Sequence, residues 1–137
     1  MKPHRTTCRV IYADTDTMGY AYHANYLRWF EIGRTELFRS VGLPYREIER
    51  RGTFLPVSEA HCRFQSPVRY DDLLIVETTV DPKVRGGMKF DYRLLVEGDE
   101  RLCATGYTRH ACVGADGRVS RPPAFLMEAV RELLIED

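Results

Sequence analysis

Residues 23–44, HANYLRWFEIGRTELFRSVGLP, contain the clearest helical pattern in the chain. Apolar residues recur there at steps of three and four, which places them together on the surface of an α-helix. These residues are Tyr26, Leu27, Phe30, Leu37, Phe38 and Val41. Gly42 and then Pro44 end the pattern, because glycine favours a helix C-terminus and proline cannot continue a helix. The stretch predicts a helix from about His23 to Val41, the longest element of the chain.

Two features predict that this helix is buried on more than one side. Tyr26, Trp29 and Phe30 place large aromatic rings over much of its circumference. Gly33 lies in its middle, where glycine costs about 1 kcal/mol relative to alanine. The expected compensation is close approach of another backbone, such as a sheet lying against the helix.

The remainder of the chain is rich in β-forming residues. A short β-like segment, Cys8–Tyr12, precedes the helix, and a final amphipathic segment, Ala124–Ile135, is predicted to be a short helix. Between the two predicted helices lie four β-rich runs: Phe54–Val68, Leu73–Val84, Met88–Val96 and Leu102–Val113. Short glycine-containing turns join the last three runs, which predicts an antiparallel meander.

This order of elements predicts an α+β fold in which one antiparallel sheet curls around one long helix. The chain has 137 residues, which suits a single domain spanning residues 1–137. A sheet covered by a single helix has an open face and open edges, and a second copy of the chain is the natural cover. We therefore expect at least a dimer.

Composition argues against several classes of function. Twenty Lys and Arg balance twenty Asp and Glu, so no broad basic surface for nucleic acid or lipid headgroups is expected. No stretch approaches the roughly 18 apolar residues of a membrane span, and no export signal is evident, which favours a cytoplasmic protein. The four cysteines form no C-x-x-C pair and predict reduced thiols, with no zinc site.

The loop before the helix carries the candidate chemistry. Asp14 and Asp16 lie in this loop, and the helix start near His23 and Ala24 presents backbone N–H groups that lack helical partners. Such amides can stabilise an oxyanion while a carboxylate attacks a carbonyl or activates water, so these parts suit acyl transfer. Spacing alone leaves open a structural role, in which both aspartates make turn and capping hydrogen bonds.

A longer motif runs from this loop into the helix: Asp16-x-x-Gly19-x-x-x-His23-x-Asn25-Tyr26-Leu27, then Glu31 and Arg34-Thr35-Glu36. It resembles the signature of the hot dog fold acyl-CoA thioesterases of the 4-hydroxybenzoyl-CoA thioesterase class, particularly the branch associated with the Tol–Pal system. Similar residues at 42–44, 64–73 and 121–122 extend the resemblance over most of the chain. It implies a hot dog fold, with about five antiparallel strands wrapped around one central helix, and a homodimer with joined sheets, often a homotetramer.

The resemblance also implies roles for individual residues. Asp16 is implied to be the catalytic carboxylate, with Asp14 supporting it. The backbone amide of His23 is implied to face the thioester carbonyl, and its side chain to contact the substrate or orient Asp16. The implied substrate-binding residues are Gly19, Tyr22, Asn25 and Glu31.

Coenzyme A carries phosphates, so its binding requires a local cationic patch even in a neutral protein. The candidate residues lie near the glycine turn at 86–87 and near the last turn: Lys83, Arg85, Lys89, Arg118 and Arg121. Coenzyme A arrives as part of an acyl-CoA substrate, so neither a separate cofactor nor a metal is expected.

Three functions remain open at this point. The first is hydrolysis of an acyl-CoA to a free acid and coenzyme A, with Asp16 as nucleophile or general base. The second is hydration or dehydration of an enoyl-CoA on the same fold, for which no second acid–base partner is evident in a later strand. The third is a non-catalytic acyl-CoA-binding module in which Asp16 only caps the loop.

Overall fold

The computed structural model describes residues 1–83 and 86–135, and within them the chain forms strands and helices in a mixed order. The elements are β1 (His4–Arg9), α1 (Asn25–Ser40), α2 (Tyr45–Arg50), β2 (Thr53–Phe54), β3 (Val57–Phe64), β4 (Leu73–Val80), β5 (Gly87–Val96), β6 (Arg101–Ala111), β7 (Val113–Gly114) and α3 (Ala124–Ile135). A short 3-10 turn, Tyr12–Asp14, lies between β1 and α1.

Five strands form one sheet in the order β1-β4-β5-β6-β3, and every neighbouring pair is antiparallel. The predicted meander of the last three runs is confirmed, because β4, β5 and β6 are successive neighbours. The chain crosses between β3 and β4, which lie on opposite sides of β5 and β6. The two short strands β2 and β7 pair separately.

Helix α1 packs against the middle of this sheet through aromatic rings. Phe30 stacks on Tyr92 of β5 with ring centroids 4.4 Å apart, and Phe38 meets Phe90 of the same strand edge to face at 5.6 Å. Trp29 and Phe30 are completely buried, and Tyr26 is nearly so. The buried positions of α1 share one face, whereas Arg28 and Arg39 on the opposite face are exposed, so the prediction of a helix buried on more than one side was wrong for the single chain.

Gly33 lies where α1 crosses β4. A Cβ atom added to Gly33 would lie 2.5 Å from Thr78 Oγ1 and 2.6 Å from Val76 Cγ1. A sheet does approach the helix here, as expected, but the atoms in contact belong to β4 side chains rather than to its backbone. Both are β-branched and stiff at χ1, so they have little freedom to move away.

We expect Gly33→Ala to lower the free energy of unfolding by about 1–3 kcal/mol, because overpacking at β4 outweighs the helix-propensity gain of about 1 kcal/mol. Urea denaturation measures this change. Arg39→Ala, at an exposed position of the same helix, is the control. Its free energy of unfolding should stay within about 0.5 kcal/mol of that of the unsubstituted protein. A more stable Gly33→Ala variant would contradict the packing argument.

Several predicted boundaries were wrong. The run Phe54–Val68 is split at Pro56, which has no N–H to donate to a ladder; β2 pairs with β7, and β3 pairs with β6. The first strand runs over His4–Arg9 instead of Cys8–Tyr12, because its register is determined by pairing with β4. Helix α2, which the sequence analysis missed, buries only Ile48 of its six residues.

His110 of β6 is buried beside the helix layer. Its Nδ1 lies 2.9 Å from the carbonyl oxygen of Leu55, and its Nε2 lies 2.8 Å from Thr108 Oγ1. Burial lowers the pKa of His110 from 6.5 to about 4, so the ring is neutral in the folded protein at neutral pH. The unfolded chain therefore binds a proton at higher pH than the folded chain does.

Because the folded protein holds His110 neutral, its free energy of unfolding is expected to decrease as the pH is lowered. Its contribution is fully present above pH about 6.5 and is lost as the pH falls towards about 4, by on the order of 2 kcal/mol. Urea denaturation across this range measures the slope. His110→Asn keeps a donor for the Leu55 carbonyl without the titration, and a slope equal to that of the unsubstituted protein would contradict the assignment.

Candidate active site

Asp14 anchors the loop that precedes α1. Its carboxylate is buried and accepts two hydrogen bonds, from the Ile11 N–H at 2.9 Å and from Arg28 Nη2 at 2.5 Å. Its carbonyl oxygen accepts two more, from the Tyr22 N–H and from Asn25 Nδ2, both at 2.8 Å. Two of these four bonds, from Arg28 and Asn25, attach the loop to the first turn of α1, and the Asn25 side chain is thereby accounted for.

Asp16 closes the tight turn that follows. Its Oδ1 accepts the N–H groups of Met18 at 2.9 Å and Tyr20 at 3.3 Å, and the Asp16 N–H donates to the Tyr20 carbonyl. Gly19 completes the turn with a φ of +83°, a conformation that favours glycine. Among the described residues, no protein group donates to Oδ2 of Asp16. One oxygen therefore holds the side chain in place, and the other is available to a ligand.

Asp16 and Gly19 line a surface cleft of about 450 Å³, whose other walls are Tyr12, Thr15, Thr17 and Tyr70. The exposed rings of Tyr12 and Tyr70 meet edge to face, with centroids 5.8 Å apart. Tyr70 was missed because it follows Asp16 by more than fifty residues and carries no local signal. Backbone pairing of Tyr20 with Arg69 brings its segment to the cleft.

The start of α1 carries further hydrogen-bond donors, although neither His23 nor Ala24 is among the residues that line the Asp16 cleft. The Asn25 N–H donates to the Tyr22 carbonyl and the Tyr26 N–H to the His23 carbonyl. In residues 1–83 and 86–135, neither the His23 N–H nor the Ala24 N–H has a protein acceptor. The His23 side chain is exposed and its ring lies 4.4 Å from the ring of Tyr22. The predicted helix start at His23 is two residues early, so both free amides lie just before the first helical residue.

The loop that carries Asp16 leads into a helix start with free amides, and a carboxylate with one free oxygen together with such amides is a combination that suits acyl transfer. Residues 10–130 match the thioesterase-like superfamily, which covers most of the chain. The chain belongs to the thioesterase-like superfamily. The predictions of a hot dog fold and of a thioester hydrolase are confirmed at this level.

Individual relatives within the thioesterase-like superfamily are similar over nearly their whole length. Acyl-CoA thioesterase YbgC of Haemophilus influenzae is 35% identical over 121 residues, 88% of this chain and 86% of the relative. The 1,4-dihydroxy-2-naphthoyl-CoA hydrolase of Thermosynechococcus vestitus is 33% identical over 131 residues, 90% and 88% of the two chains. The crystal structure of the Thermus thermophilus protein TT1821 superimposes with a TM-score of 0.88 at 35% identity, covering 94% of this chain and 98% of that one.

Glu31 lies apart from the Asp16 cleft in this thioesterase-like chain. It is six residues into α1, about 9 Å along the axis from Asn25. Its carboxylate is exposed, lies 4.0 Å from Arg34, and lines a different cleft. Within one chain, the structure therefore does not bring Glu31 into the cleft of Asp16 and Gly19.

The candidate coenzyme A residues are only partly described. Arg85 lies outside the described residues. Lys89 projects from β5 and is engaged by acidic side chains, 3.3 Å from Asp91 and 3.8 Å from Asp81. Lys83 and Arg121 are exposed. Arg118 is also exposed and lies 3.9 Å from Asp116.

No helix within residues 1–83 and 86–135 has the length and apolar character needed to cross a bilayer.

Proposed function

We propose that this chain hydrolyses an acyl-CoA thioester to a free acid and coenzyme A, with Asp16 as the catalytic carboxylate. The observation that carries the proposal is the state of the Asp16 side chain: Oδ1 is held by two backbone N–H groups, and Oδ2 faces no donor in the described chain. A capping aspartate explains the bonds to Oδ1. It does not explain why Asp16 lines a cleft.

The proposed reaction has two routes to the same products. As general base, Asp16 takes a proton from water, the hydroxide adds to the thioester carbonyl, and the C–S bond breaks to release the coenzyme A thiolate. As nucleophile, Asp16 Oδ2 displaces the thiolate and forms an acyl anhydride, which water then cleaves. In both routes the N–H groups of His23 and Ala24 stabilise the oxyanion, and no cofactor or metal is required.

The names of the relatives support acyl-CoA as the substrate class. One relative is named an acyl-CoA thioesterase and another a 1,4-dihydroxy-2-naphthoyl-CoA hydrolase. Within the superfamily we place this chain in the 4-hydroxybenzoyl-CoA thioesterase class, in the branch associated with the Tol–Pal system, and in the cytoplasm. Tyr22 and His23 are proposed to contact the acyl thioester, together with Gly19 and Asn25. Glu31, which lines a different cleft within one chain, is proposed to reach the acyl group only in the oligomer. Lys83, Arg85, Lys89 and Arg121 are proposed to contact the phosphates of coenzyme A.

The proposed assembly is a homodimer whose sheets join along β3, with dimers pairing into a tetramer. Strand β3 is at the edge of the sheet, and all its residues except Cys62 are exposed. Val57 and Phe64, at its two ends, are each about half exposed. Open edges of this kind pair readily with another strand. One domain, spanning residues 1–137, forms each subunit.

Thiol release from a panel of short, medium, long and aromatic acyl-CoAs tests the function. Release from at least one of them by the folded protein is expected. Crotonyl-CoA separates the alternatives, because hydration consumes its conjugated alkene without releasing thiol. Tight acyl-CoA binding with no thiol release would instead identify a binding module.

A further inference from the structure

A second cleft, of about 200 Å³, lies between α1, α2 and the segment that joins β2 to β3. We call it the Arg34 cleft. The residues that line it are Glu31, Arg34, Thr35, Tyr45, Leu55, Pro56 and Val57. Charged and hydroxyl-bearing side chains dominate this lining, in contrast to the apolar core behind it.

A buried chain of hydrogen bonds leads from the core to Arg34. His110 Nε2 lies 2.8 Å from Thr108 Oγ1, which lies 2.6 Å from the Tyr92 hydroxyl, and Arg34 Nη1 lies 3.5 Å from that hydroxyl. Tyr92, Thr108 and His110 are all at least nine-tenths buried. None of the residues in this series of hydrogen bonds (His110, Thr108, Tyr92 and Arg34) takes part in the reaction proposed for Asp16.

The donors and acceptors in this series of hydrogen bonds follow from its buried end, at the Leu55 carbonyl. The Leu55 carbonyl can only accept, so His110 Nδ1 carries the hydrogen and Nε2 accepts from the Thr108 hydroxyl. Thr108 in turn accepts from the Tyr92 hydroxyl. The lone pairs of Tyr92 are thus directed at Arg34, which holds a guanidinium at the cleft.

Arg34 itself is under-used by the protein. Its side chain is 17% exposed, and in the described part of the chain its hydrogen-bond and ion-pair partners are only the Tyr92 hydroxyl at 3.5 Å and Glu31 at 4.0 Å. A guanidinium has five N–H donors, and a largely buried arginine normally has close acceptors for them. Most of the donors of Arg34 therefore remain available to a ligand in the cleft.

Another part of the lining, Tyr45 and Leu55, is held by hydrogen bonds. The Leu55 N–H donates to the Tyr45 hydroxyl oxygen at 3.0 Å, and the Leu55 carbonyl accepts from His110. Both polar groups of the Leu55 peptide are thus held by side chains. The Tyr45 hydroxyl keeps its own hydrogen for another acceptor, and Thr35 adds a second hydroxyl to the lining.

We propose that the Arg34 cleft is a carboxylate-binding site. Arg34 is the principal residue that binds the carboxylate, and Tyr45 and Thr35 donate hydrogen bonds from their hydroxyl groups. A guanidinium matches a carboxylate through two parallel hydrogen bonds. Glu31 competes weakly, because it is 63% exposed and its pair with Arg34 at 4.0 Å is loose. The carboxylate is either that of a free acid or, in an extension that rests on the proposed function, the distal carboxylate of a dicarboxylic acyl group.

The first arm of the test measures binding of free succinate, adipate and sebacate by NMR titration. Binding is expected in the unsubstituted protein, with about tenfold or greater weakening in Arg34→Gln and an intermediate affinity in Arg34→Lys. Glu31→Gln should bind about two- to fivefold more tightly, because it removes the competing anion. Arg39→Gln, an exposed arginine of α1 paired with Glu36, should not change affinity.

The second arm compares thiol release from succinyl-, adipyl- and sebacyl-CoA with release from butyryl-, hexanoyl- and decanoyl-CoA. Arg34→Gln should lower kcat/KM for a preferred ω-carboxyacyl substrate by about tenfold and change that of the matched apolar substrate by less than about threefold. Circular dichroism and thermal melting confirm that each variant is folded.

The two arms separate the possible results. Arg34-dependent binding of the free acids without an Arg34-dependent substrate preference supports a site for free carboxylates and overturns the acyl-group extension. If all acyl-CoAs resist hydrolysis, the proposed function fails, and the binding arm still decides the site. Absence of Arg34-dependent carboxylate binding in a folded protein, with no Arg34-dependent preference for ω-carboxyacyl substrates, overturns the proposal.

Discussion

Asp16→Asn is expected to lower the kcat for acyl-CoA hydrolysis by about a thousandfold or more while leaving the fold intact. The amide oxygen of asparagine can still accept the N–H groups of Met18 and Tyr20 that hold Oδ1. The substitution removes the charge and replaces the free Oδ2 with an NH2 group, with almost no change in side-chain size. A neutral amide neither attacks a thioester nor accepts a proton from water. Thiol release under saturating acyl-CoA measures the effect.

Asp99→Asn is the matched control for Asp16→Asn. Asp99 also accepts a backbone N–H within an exposed turn, that of Arg101 at 3.1 Å. Asp99→Asn should keep full turnover. The free energies of unfolding of both variants should lie within about 0.5 kcal/mol of that of the unsubstituted protein. A folded Asp16→Asn variant with undiminished turnover would reduce Asp16 to a loop cap and overturn the catalytic assignment.

Asp14→Ala is expected to lower the free energy of unfolding by about 2 kcal/mol and kcat by about tenfold to a hundredfold. Removal of the buried carboxylate leaves the Ile11 N–H without its acceptor and Arg28 without its partner. The loop is then held to α1 only through the carbonyl oxygen of residue 14. Asp16 is two residues further on, so the looser anchor misplaces its carboxylate. Urea denaturation and thiol release measure the two effects.

Arg28→Ala separates the ion pair from the other bonds of Asp14. Arg28 is about half exposed, so its loss alone should cost less than the loss of Asp14. A double-mutant cycle should give a positive coupling energy between the two side chains. If Asp14→Ala lowers stability but leaves kcat unchanged, the anchor is structural only and does not position Asp16.

The helical part of the fold could be predicted because its signals are local. The three- and four-residue steps from Tyr26 to Val41 and the stop at Gly42 place α1 to within two residues at its start and one at its end. The order of the β-rich runs likewise predicts the β4-β5-β6 meander. Helix α2 escaped prediction because six residues with one buried side chain carry almost no periodic pattern.

The candidate site divides in the same way. Asp16, Gly19 and the helix start are neighbours in sequence, so their association could be predicted from turn chemistry and the free amides of a helix start. Tyr70 reaches the cleft only through the pairing of Tyr20 with Arg69. The hydrogen-bond partner of Arg34 is Tyr92, which lies on a strand more than fifty residues away in sequence.

The sequence by itself determined the two longer helices, the β4-β5-β6 meander and the loop that carries Asp16, since periodicity, turn residues and helix ends depend on neighbours along the chain. Only the tertiary structure decided three further matters. It split the run at Pro56 between two sheets, placed Glu31 in a different cleft from Asp16, and directed the Tyr92 hydroxyl at Arg34. The split and the Tyr92–Arg34 contact depend on which strands pair, and the position of Glu31 depends on its distance along α1 from the helix start. These spatial relations arise only when the chain is packed, because residues remote in sequence then share one surface.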